Sequence, residues 1–207
     1  LEKAKNIFTN EEIRNFILTS ILQEQYLYRG INNTDEMQHD YTQLCTNDEY
    51  KKDVSELRAR WDNIASGKPA PDFLYTNMKG DSFSLALFKG KYIYLDVWAS
   101  WCGDCKYELP FLEKLEEEFK NKNIVFMSVS IDASKEAWMA MVKDKKLKGV
   151  QLFAEGDWKS KIAQEYMIRS IPRFILIDKQ GNIINSNAPL PSGKIKEILS
   201  RLDGINS

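Results

Sequence analysis

Two of the three cysteines, Cys102 and Cys105, are separated by two residues and follow a mostly apolar run, Lys91 to Trp98, that predicts a buried strand. The residues from Cys102 onward have helical spacing, so the pair falls on the first turn of a predicted helix. The N–H groups at a helix start have no backbone partner and favour a thiolate at the first cysteine. The spacing therefore predicts a redox pair, in which Cys102 attacks a disulfide of another molecule and Cys105 resolves the mixed disulfide.

Other uses of the two cysteines stay open, namely a static disulfide or half of a zinc site. Zinc needs two more Cys or His ligands, and only Cys45 and the single histidine, His39, remain. No metal site and no cofactor is therefore predicted. The lone histidine also excludes Ser-His-Asp and Cys-His catalysis unless His39 reaches a nucleophile. Cys45 is expected in a hydrophobic core, with a regulatory or intermolecular disulfide as the alternative.

Composition excludes several classes of function. The 207 residues carry 29 Lys and Arg against 30 Asp and Glu, a net charge of −1, so no basic face for nucleic acid is indicated. No stretch approaches the ~20 apolar residues of a membrane span. The 43% hydrophobic and 12% aromatic content is that of a globular protein. No basic and apolar leader precedes the first polar segment, so we expect a mature exported protein or a piece of a longer chain.

Residues 1–68 predict a helical region. A capping-box pattern at Thr9 and Glu12 precedes a first helix that ends at Gly30. A second helix is predicted from Asp35 to Cys45, and a third begins after Asn47. The apolar residues of the first helix that recur at helical spacing, and so predict its packing face, are Ile13, Phe16, Ile17, Ile21, Leu27 and Tyr28.

Residues 69–207 predict a different architecture, beginning at the proline-rich boundary around Pro69 and Pro71. Hairpin turns are predicted at 78–81 and 179–181. Strands that alternate with helices, followed by a closing hairpin and helix, predict an α/β fold with a mixed sheet. The strands after the first hairpin are predicted at 91–98, 124–131, 150–153, 173–177 and 182–185, and the helices at 102–119, 135–145, 159–166 and 192–202.

Several segments resemble a known family. The stretch from Leu95 to Lys106, with Pro110, resembles the thioredoxin active-site segment, and Ser170-Ile171-Pro172 resembles the thioredoxin cis-proline loop. Ala70-Pro71-Asp72-Phe73 and Glu108-Leu109-Pro110 are similar to the TlpA/ResA branch of exported thiol-disulfide oxidoreductases, in the form found in Bacteroides-type bacteria. The resemblance covers about residues 69–204, and residues 1–68 resemble the N-terminal extension of such proteins.

The resemblance implies a thioredoxin-like mixed sheet flanked by helices, with an added β-hairpin and an N-terminal helical extension. It implies that Cys102 is exposed and Cys105 shielded. It also implies a cis bond before Pro172, which sets the Ile171 backbone beside the cysteines; an ordinary trans proline opening a strand is the alternative. The residues expected to bind substrate are Trp101, Gly103, Asp104, Ile171 and Pro172. For Trp101, ordinary burial is the alternative.

Two carboxyl groups are candidates for proton transfer to and from Cys105. Asp96 interrupts the apolar strand six residues before Cys102, and burial would raise its pKa. The alternative is a hydrogen-bonded structural aspartate. Glu108 lies three residues after Cys105 on the same side of the predicted helix, and it matches an acidic residue of ResA-like proteins. Its alternative is a solvated helix carboxylate.

Asp104 departs from the family pattern, because thioredoxins and many TlpA/ResA-like proteins have proline directly before the second cysteine. A negative charge beside Cys102 disfavours its thiolate, which makes the pair more reducing. Lys106 acts in the opposite direction.

The sequence thus predicts a thiol-disulfide oxidoreductase that acts on protein thiols and disulfides, as a reductant. A peroxiredoxin-like thiol peroxidase and a non-catalytic thioredoxin-fold binding module are the alternatives. The resemblance implies a periplasmic or cell-envelope-exposed monomer, anchored to the membrane through an upstream segment and supplied by a membrane or periplasmic electron donor.

Overall fold

The computed structural model describes residues 7–31 and 33–206 and divides into two compact units, which meet in sequence between Asn63 and Ile64. Residues 1–6 and 32 of the predicted helical region, and the C-terminal residue 207, lie outside the described residues.

The first unit contains the three predicted helices, α1 (Glu11–Arg29), α2 (Asp35–Leu44) and α3 (Asp48–Asp62). The N-cap of α1 is Asn10 rather than the predicted Thr9, since Asn10 Oδ1 accepts a hydrogen bond from the Ile13 N–H at 3.0 Å. Asparagine is among the preferred N-cap residues, because its side-chain oxygen satisfies a free N–H of the first turn. Asn47 caps α3 in the same way.

The packing face predicted for α1 is wrong. Leu18, Leu22 and Tyr26 are its buried apolar side chains. Apolar residues occur on more than one side of this helix, so periodicity alone does not select a face, and the contacts with α2 and α3 decide it. The predicted side chains that are exposed are Ile13, Phe16, Ile21 and Tyr28, with exposed fractions of 41–59%.

The second unit contains seven strands and four helices among the described residues. The strands are β1 (Tyr75–Thr76), β2 (Ser82–Phe83), β3 (Tyr92–Trp98), β4 (Ile124–Ser130), β5 (Val150–Phe153), β6 (Arg173–Ile177) and β7 (Ile183–Ala188). The helices are α4 (Gly103–Glu118), α5 (Lys135–Lys145), α6 (Lys161–Glu165) and α7 (Ile195–Ser200), and 3-10 turns lie at Leu85–Phe88 and Asp157–Lys159.

The strands form one mixed sheet in the order β2-β1-β5-β4-β3-β6-β7. Strands β3, β4 and β5 are parallel, whereas β6 runs antiparallel to β3 and β7 antiparallel to β6. The hairpin β1–β2 extends the opposite edge. The predicted mixed α/β fold is therefore confirmed, and the carboxyl ends of the parallel strands lie at one edge, where α4 begins.

The interior strand β3 is buried along its whole length. Side chains alternate between the two faces of a strand, so Asp96 points to the same face as Tyr92 and Tyr94. Those tyrosines belong to a core cluster that contains Leu112 and Leu115 of α4. The alternation therefore places Asp96 on the face of the sheet that α4 covers.

Candidate redox site

Cys102 and Cys105 form a disulfide at the start of α4, with an S–S distance of 2.07 Å and a Cα–Cα distance of 5.3 Å. Cys102 is the N-cap residue of α4, and its Sγ accepts a hydrogen bond from the Cys105 N–H at 3.0 Å. This donor is one of the free N–H groups of the first helical turn, and it would stabilise negative charge on Sγ once the disulfide is reduced. The sequence prediction that these two thiols meet at a helix start is confirmed.

The expected exposure of Cys102 is wrong for the disulfide form. The exposed fraction is 5% for Cys102 and 4% for Cys105. One side of the Cys102 sulfur is occupied by its bond to Cys105, and the Ile171 carbonyl oxygen lies 3.7 Å from it. The surface beside Gly103 is open, because a Cβ added to this residue would meet no neighbouring atom within 4 Å.

The loop before β6 contains a cis peptide bond between Ile171 and Pro172, as the resemblance implied, and the trans alternative is wrong. Both residues are partly buried. The Ile171 carbonyl faces the Cys102 sulfur, which brings a backbone acceptor to the reacting atom.

Exposed aromatic side chains flank the redox pair in the sequence. Trp101 directly precedes Cys102 and is 54% exposed, so burial does not account for it. Its ring lies 6.2 Å from that of Trp158, which belongs to the loop after β5. On the outer face of α4, Tyr107 and Phe111 are exposed and their rings are 5.5 Å apart.

Asp96 lies beneath α4 with an exposed fraction of 4%, and its Oδ1 has no hydrogen-bond partner. Burial raises the pKa of this carboxyl to about 8. The carboxyls of Glu116 and Glu108 add to the rise, whereas Ser128, the register partner of Asp96 on β4, lowers the pKa. The raised pKa brings this carboxyl into the range expected of a general acid or base.

Glu108 is also buried, with an exposed fraction of 5%, so the solvated alternative is wrong. Its Oε2 accepts from the Ser192 N–H at 2.9 Å and its Oε1 from the Ser192 hydroxyl at 2.7 Å. Glu108 thus connects α4 to the loop before α7. By contrast, Asp104 and Lys106 point to solvent from the first turn of α4.

The sequence reasoning missed a polar network just before Cys102. Asp132, with an exposed fraction of 2%, accepts hydrogen bonds from the backbone and hydroxyl of Ser100 and from the hydroxyl of Ser130. A usable signal was present: Asp132 directly follows the predicted strand 124–131, and the ends of neighbouring parallel strands meet at one edge of a sheet. Ser192, the partner of Glu108, lies far away in the sequence and left no comparable signal.

Across residues 7–31 and 33–206, no group of three or more His, Cys, Asp or Glu side chains could hold a metal ion. In the same part of the chain, no helix is both long and apolar enough to cross a bilayer. The free thiol of Cys45 is buried within the helical unit.

The model of the Redoxin family matches residues 65–198, which include the complete redox site. The chain belongs to the redoxin family. Within it, this redoxin is similar to the thiol-disulfide oxidoreductase ResA of Bacillus cereus, with 31% identity over 118 residues. That match covers 57% of this redoxin and 66% of the ResA chain, just under two thirds of the relative's length.

Solved structures give the same assignment. A crystal structure of a proposed thiol-disulfide oxidoreductase from Bacteroides vulgatus shares 38% identity at a TM-score of 0.62, covering 67% of this redoxin and 96% of that chain. A thiol:disulfide interchange protein from a Bacteroides species shares 30% identity at a TM-score of 0.61, covering 69% and 93%. The prediction of a TlpA/ResA-like thioredoxin fold, in a class of thiol-disulfide oxidoreductases, is confirmed.

Proposed function

We propose that this redoxin reduces disulfides in exported proteins, with Cys102 as the nucleophile and Cys105 as the resolving thiol. One observation carries the proposal: the Cys102–Cys105 disulfide lies at the start of α4 while the Ile171 carbonyl lies 3.7 Å from the Cys102 sulfur. A static disulfide needs neither a helix N-terminus nor a backbone acceptor beside one sulfur.

The reaction begins with the reduced pair. The Cys102 thiolate attacks one sulfur of the partner's disulfide, that S–S bond breaks, and the other partner sulfur leaves as a thiolate. Cys105 then loses its proton and attacks the Cys102 sulfur of the mixed disulfide. The second partner sulfur leaves, so two electrons have passed to the partner and the redoxin disulfide has formed. A membrane-bound or periplasmic dithiol donor returns two electrons to this redoxin.

Two carboxyls are proposed for proton transfer, and their surroundings favour Asp96. Its pKa of about 8 and its unpartnered oxygen suit a group that takes the Cys105 proton and returns it. Glu108 would first have to release its two hydrogen bonds to Ser192. We therefore assign proton transfer to Asp96 and keep Glu108 as a second carboxyl whose main part is to hold α4.

Substrate binding is proposed for the surface around Cys102. An extended segment of the partner would pair with the backbone at Ile171 and Pro172, and the open space at Gly103 admits its cysteine. The exposed Trp101 ring offers apolar contact, and Asp104 sets the local charge. An extracytoplasmic location is part of the proposal, and the similarity to ResA supports it. Membrane anchoring and a monomeric state complete the proposal.

The test is insulin reduction followed by turbidity, with the purified chain and dithiothreitol as electron source. Cys102→Ser should lose all activity above the uncatalysed rate. Cys105→Ser should stop after one mixed disulfide per molecule, which mass spectrometry identifies. Cys45→Ser is the matched control and should keep full activity, since Cys45 is buried in the other unit.

Three outcomes would contradict the proposal. Undiminished turnover by Cys102→Ser would show that another group carries the reaction. Rapid peroxide consumption without insulin reduction would favour a thiol peroxidase, and absence of both activities would favour a binding module that keeps the disulfide for stability.

A further inference from the structure

The nucleophile Cys102 is carried by a tight turn between β3 and α4. The Cys102 N–H donates to the Ala99 carbonyl at 3.1 Å, which closes the turn over Ser100 and Trp101. The position of the Cys102 sulfur over the Cys105 N–H depends on this turn, because the sulfur caps the helix that the turn leads into.

Asp132, in the loop after β4, binds the second residue of that turn through both carboxylate oxygens. The Ser100 N–H lies 3.1 Å from Oδ1 and 2.9 Å from Oδ2, and the Ser100 hydroxyl donates to Oδ1 at 2.7 Å. The Ser130 hydroxyl donates to Oδ2 at 2.7 Å and accepts from the Asp132 N–H at 3.0 Å. Every side-chain contact of Asp132 is therefore with a donor, which an acceptor-only carboxylate satisfies and an amide does not.

The network extends along the edge of the sheet. The Ser130 carbonyl accepts from the Ala154 N–H at 2.8 Å, so the loops after β4 and β5 are joined at the residue that also holds Asp132. Trp101 and Trp158 make a ring contact between the turn and the loop after β5. The turn before Cys102 is thus attached to the segments that follow β4 and β5, and the buried Asp132 side chain accepts the hydrogen bonds that Ser100 donates to it.

We propose that Asp132 is a positioning residue for Cys102: by holding the Ser100 backbone it keeps the Cys102 sulfur over the N–H groups of α4 and so stabilises the thiolate. The proposal rests on the proposed role of Cys102 as the nucleophile. Asp132 acts through the turn and needs no contact with a substrate.

The direction in which Asp132→Asn shifts the pKa of Cys102 distinguishes a positioning role of Asp132 from a direct effect of its charge. Asp132→Asn replaces the carboxyl that binds the turn before Cys102 with a neutral amide, and loss of a negative charge there would by itself lower the pKa of Cys102. It also sets the amide N–H₂ against the Ser100 and Ser130 donors, which loosens the turn and weakens the cap on Cys102. Positioning therefore predicts a raised pKa, by about 0.2 to 0.7 unit, the range of a typical helix-end contribution.

The experiment uses the full chain carrying Cys45→Ser and Cys105→Ser, so that Cys102 is the single thiol. The rate of iodoacetamide alkylation against pH gives the pKa of Cys102 without any partner protein. The other charged groups near the site, Asp96 on β3, Asp104 and Lys106 on α4 and Arg173 on β6, are the same in every variant. Asp132→Asn should raise the pKa of Cys102, and an unchanged or lowered pKa would overturn the proposal.

A second variant guards against misfolding of the first. Ser100→Ala removes one donor and keeps the charge, and it should raise amide hydrogen exchange at residues 100 and 105 in NMR spectra. Ser134→Ala is the matched control, because it removes the N-cap of α5 two residues after Asp132 and should leave the pKa and both amides unchanged. Unchanged exchange in Ser100→Ala, or an equal change in Ser134→Ala, would also contradict the proposal. Failure of the proposed function is recognised separately, by lack of insulin reduction in the chain with all three cysteines.

Discussion

Two regions in contact with α4 each bury a carboxyl, and they differ in the hydrogen bonds that this carboxyl receives. On β3, Asp96 is 4% exposed, has one oxygen without a hydrogen bond, and has its pKa raised to about 8 by burial. At the contact between α4 and the loop before α7, Glu108 is 5% exposed, but each of its oxygens accepts a hydrogen bond from Ser192.

The difference follows from the donors that each region can offer. The backbone N–H groups around Asp96 are used in the ladders with β4 and β6, so no backbone donor remains for its side chain. The loop before α7 has a free backbone N–H and a hydroxyl at Ser192, and both turn to Glu108. Although the two carboxyls are equally buried, burial raises the pKa of Asp96, whereas Glu108 links α4 to the loop before α7 through hydrogen bonds. Substitutions at Asp96 and at Ser192, the partner of Glu108, test the two halves of this comparison.

The largest effect is expected for Asp96→Asn. Because the folded-state pKa of about 8 lies above the ordinary value of 3.8, the bound proton stabilises the fold at low pH. That contribution is lost as the pH rises towards and through 8. Between pH 4 and pH 9 the free energy of unfolding of the wild type should fall by up to about 5 kcal/mol more than that of the variant. Urea denaturation at several pH values, followed by near-UV circular dichroism, measures this.

The control for that series is Glu197→Gln, which removes an exposed carboxyl from α7. It should leave the pH dependence of stability within about 0.5 kcal/mol of the wild type. Parallel pH curves for the wild type and Asp96→Asn would show that Asp96 does not hold its proton, and the contrast with Glu108 would be lost.

A smaller effect is expected on the other side of the comparison. Ser192→Ala removes the hydroxyl donor at 2.7 Å from Glu108 and keeps the backbone donor. Leaving a buried carboxyl oxygen without its hydrogen-bond partner should lower the free energy of unfolding by about 1 to 3 kcal/mol. Ser200→Ala on α7 is the matched control, since its hydroxyl bonds only to a carbonyl in its own helix and is exposed. Equal stability of the two variants would mean that the Ser192 hydroxyl does not hold Glu108.

The smallest effect concerns an exposed carboxyl on the same helix. Asp104→Asn removes a negative charge next to Cys102 and should stabilise the thiolate, which makes the reduction potential less negative by up to about 30 mV. Screening by solvent and the nearby Lys106 limit the shift. A redox titration against glutathione measures it, with Asp144→Asn on α5 as a control. A shift below ~10 mV would show that the charge of Asp104 does not determine the reduction potential.

The fold could be predicted from the sequence where the pattern of apolar residues coincides with burial in the folded chain. The limits of β3, α4, α5, β5 and β6 match the prediction to within one residue, because apolar runs and helical spacing there coincide with burial in the second unit. The final helix is shorter than predicted, since only Ile195–Ser200 is helical and turns occupy both flanks. The face of α1 could not be predicted, because exposed Phe16 and buried Leu18 are equally apolar and only α2 and α3 distinguish them.

By itself, the sequence determined the residue types and spacing of the candidate redox site: two cysteines three positions apart at a strand-to-helix junction, a proline loop, and carboxyls at 96 and 108. Those features depend on spacing along the chain, which local geometry converts into structure. Only the tertiary structure decided which hydrogen-bond donors each carboxyl meets, that Asp132 binds the turn before Cys102, and that Ser192 binds Glu108. These outcomes depend on which donors meet a buried oxygen, and such donors come from segments far apart in sequence that only folding brings together.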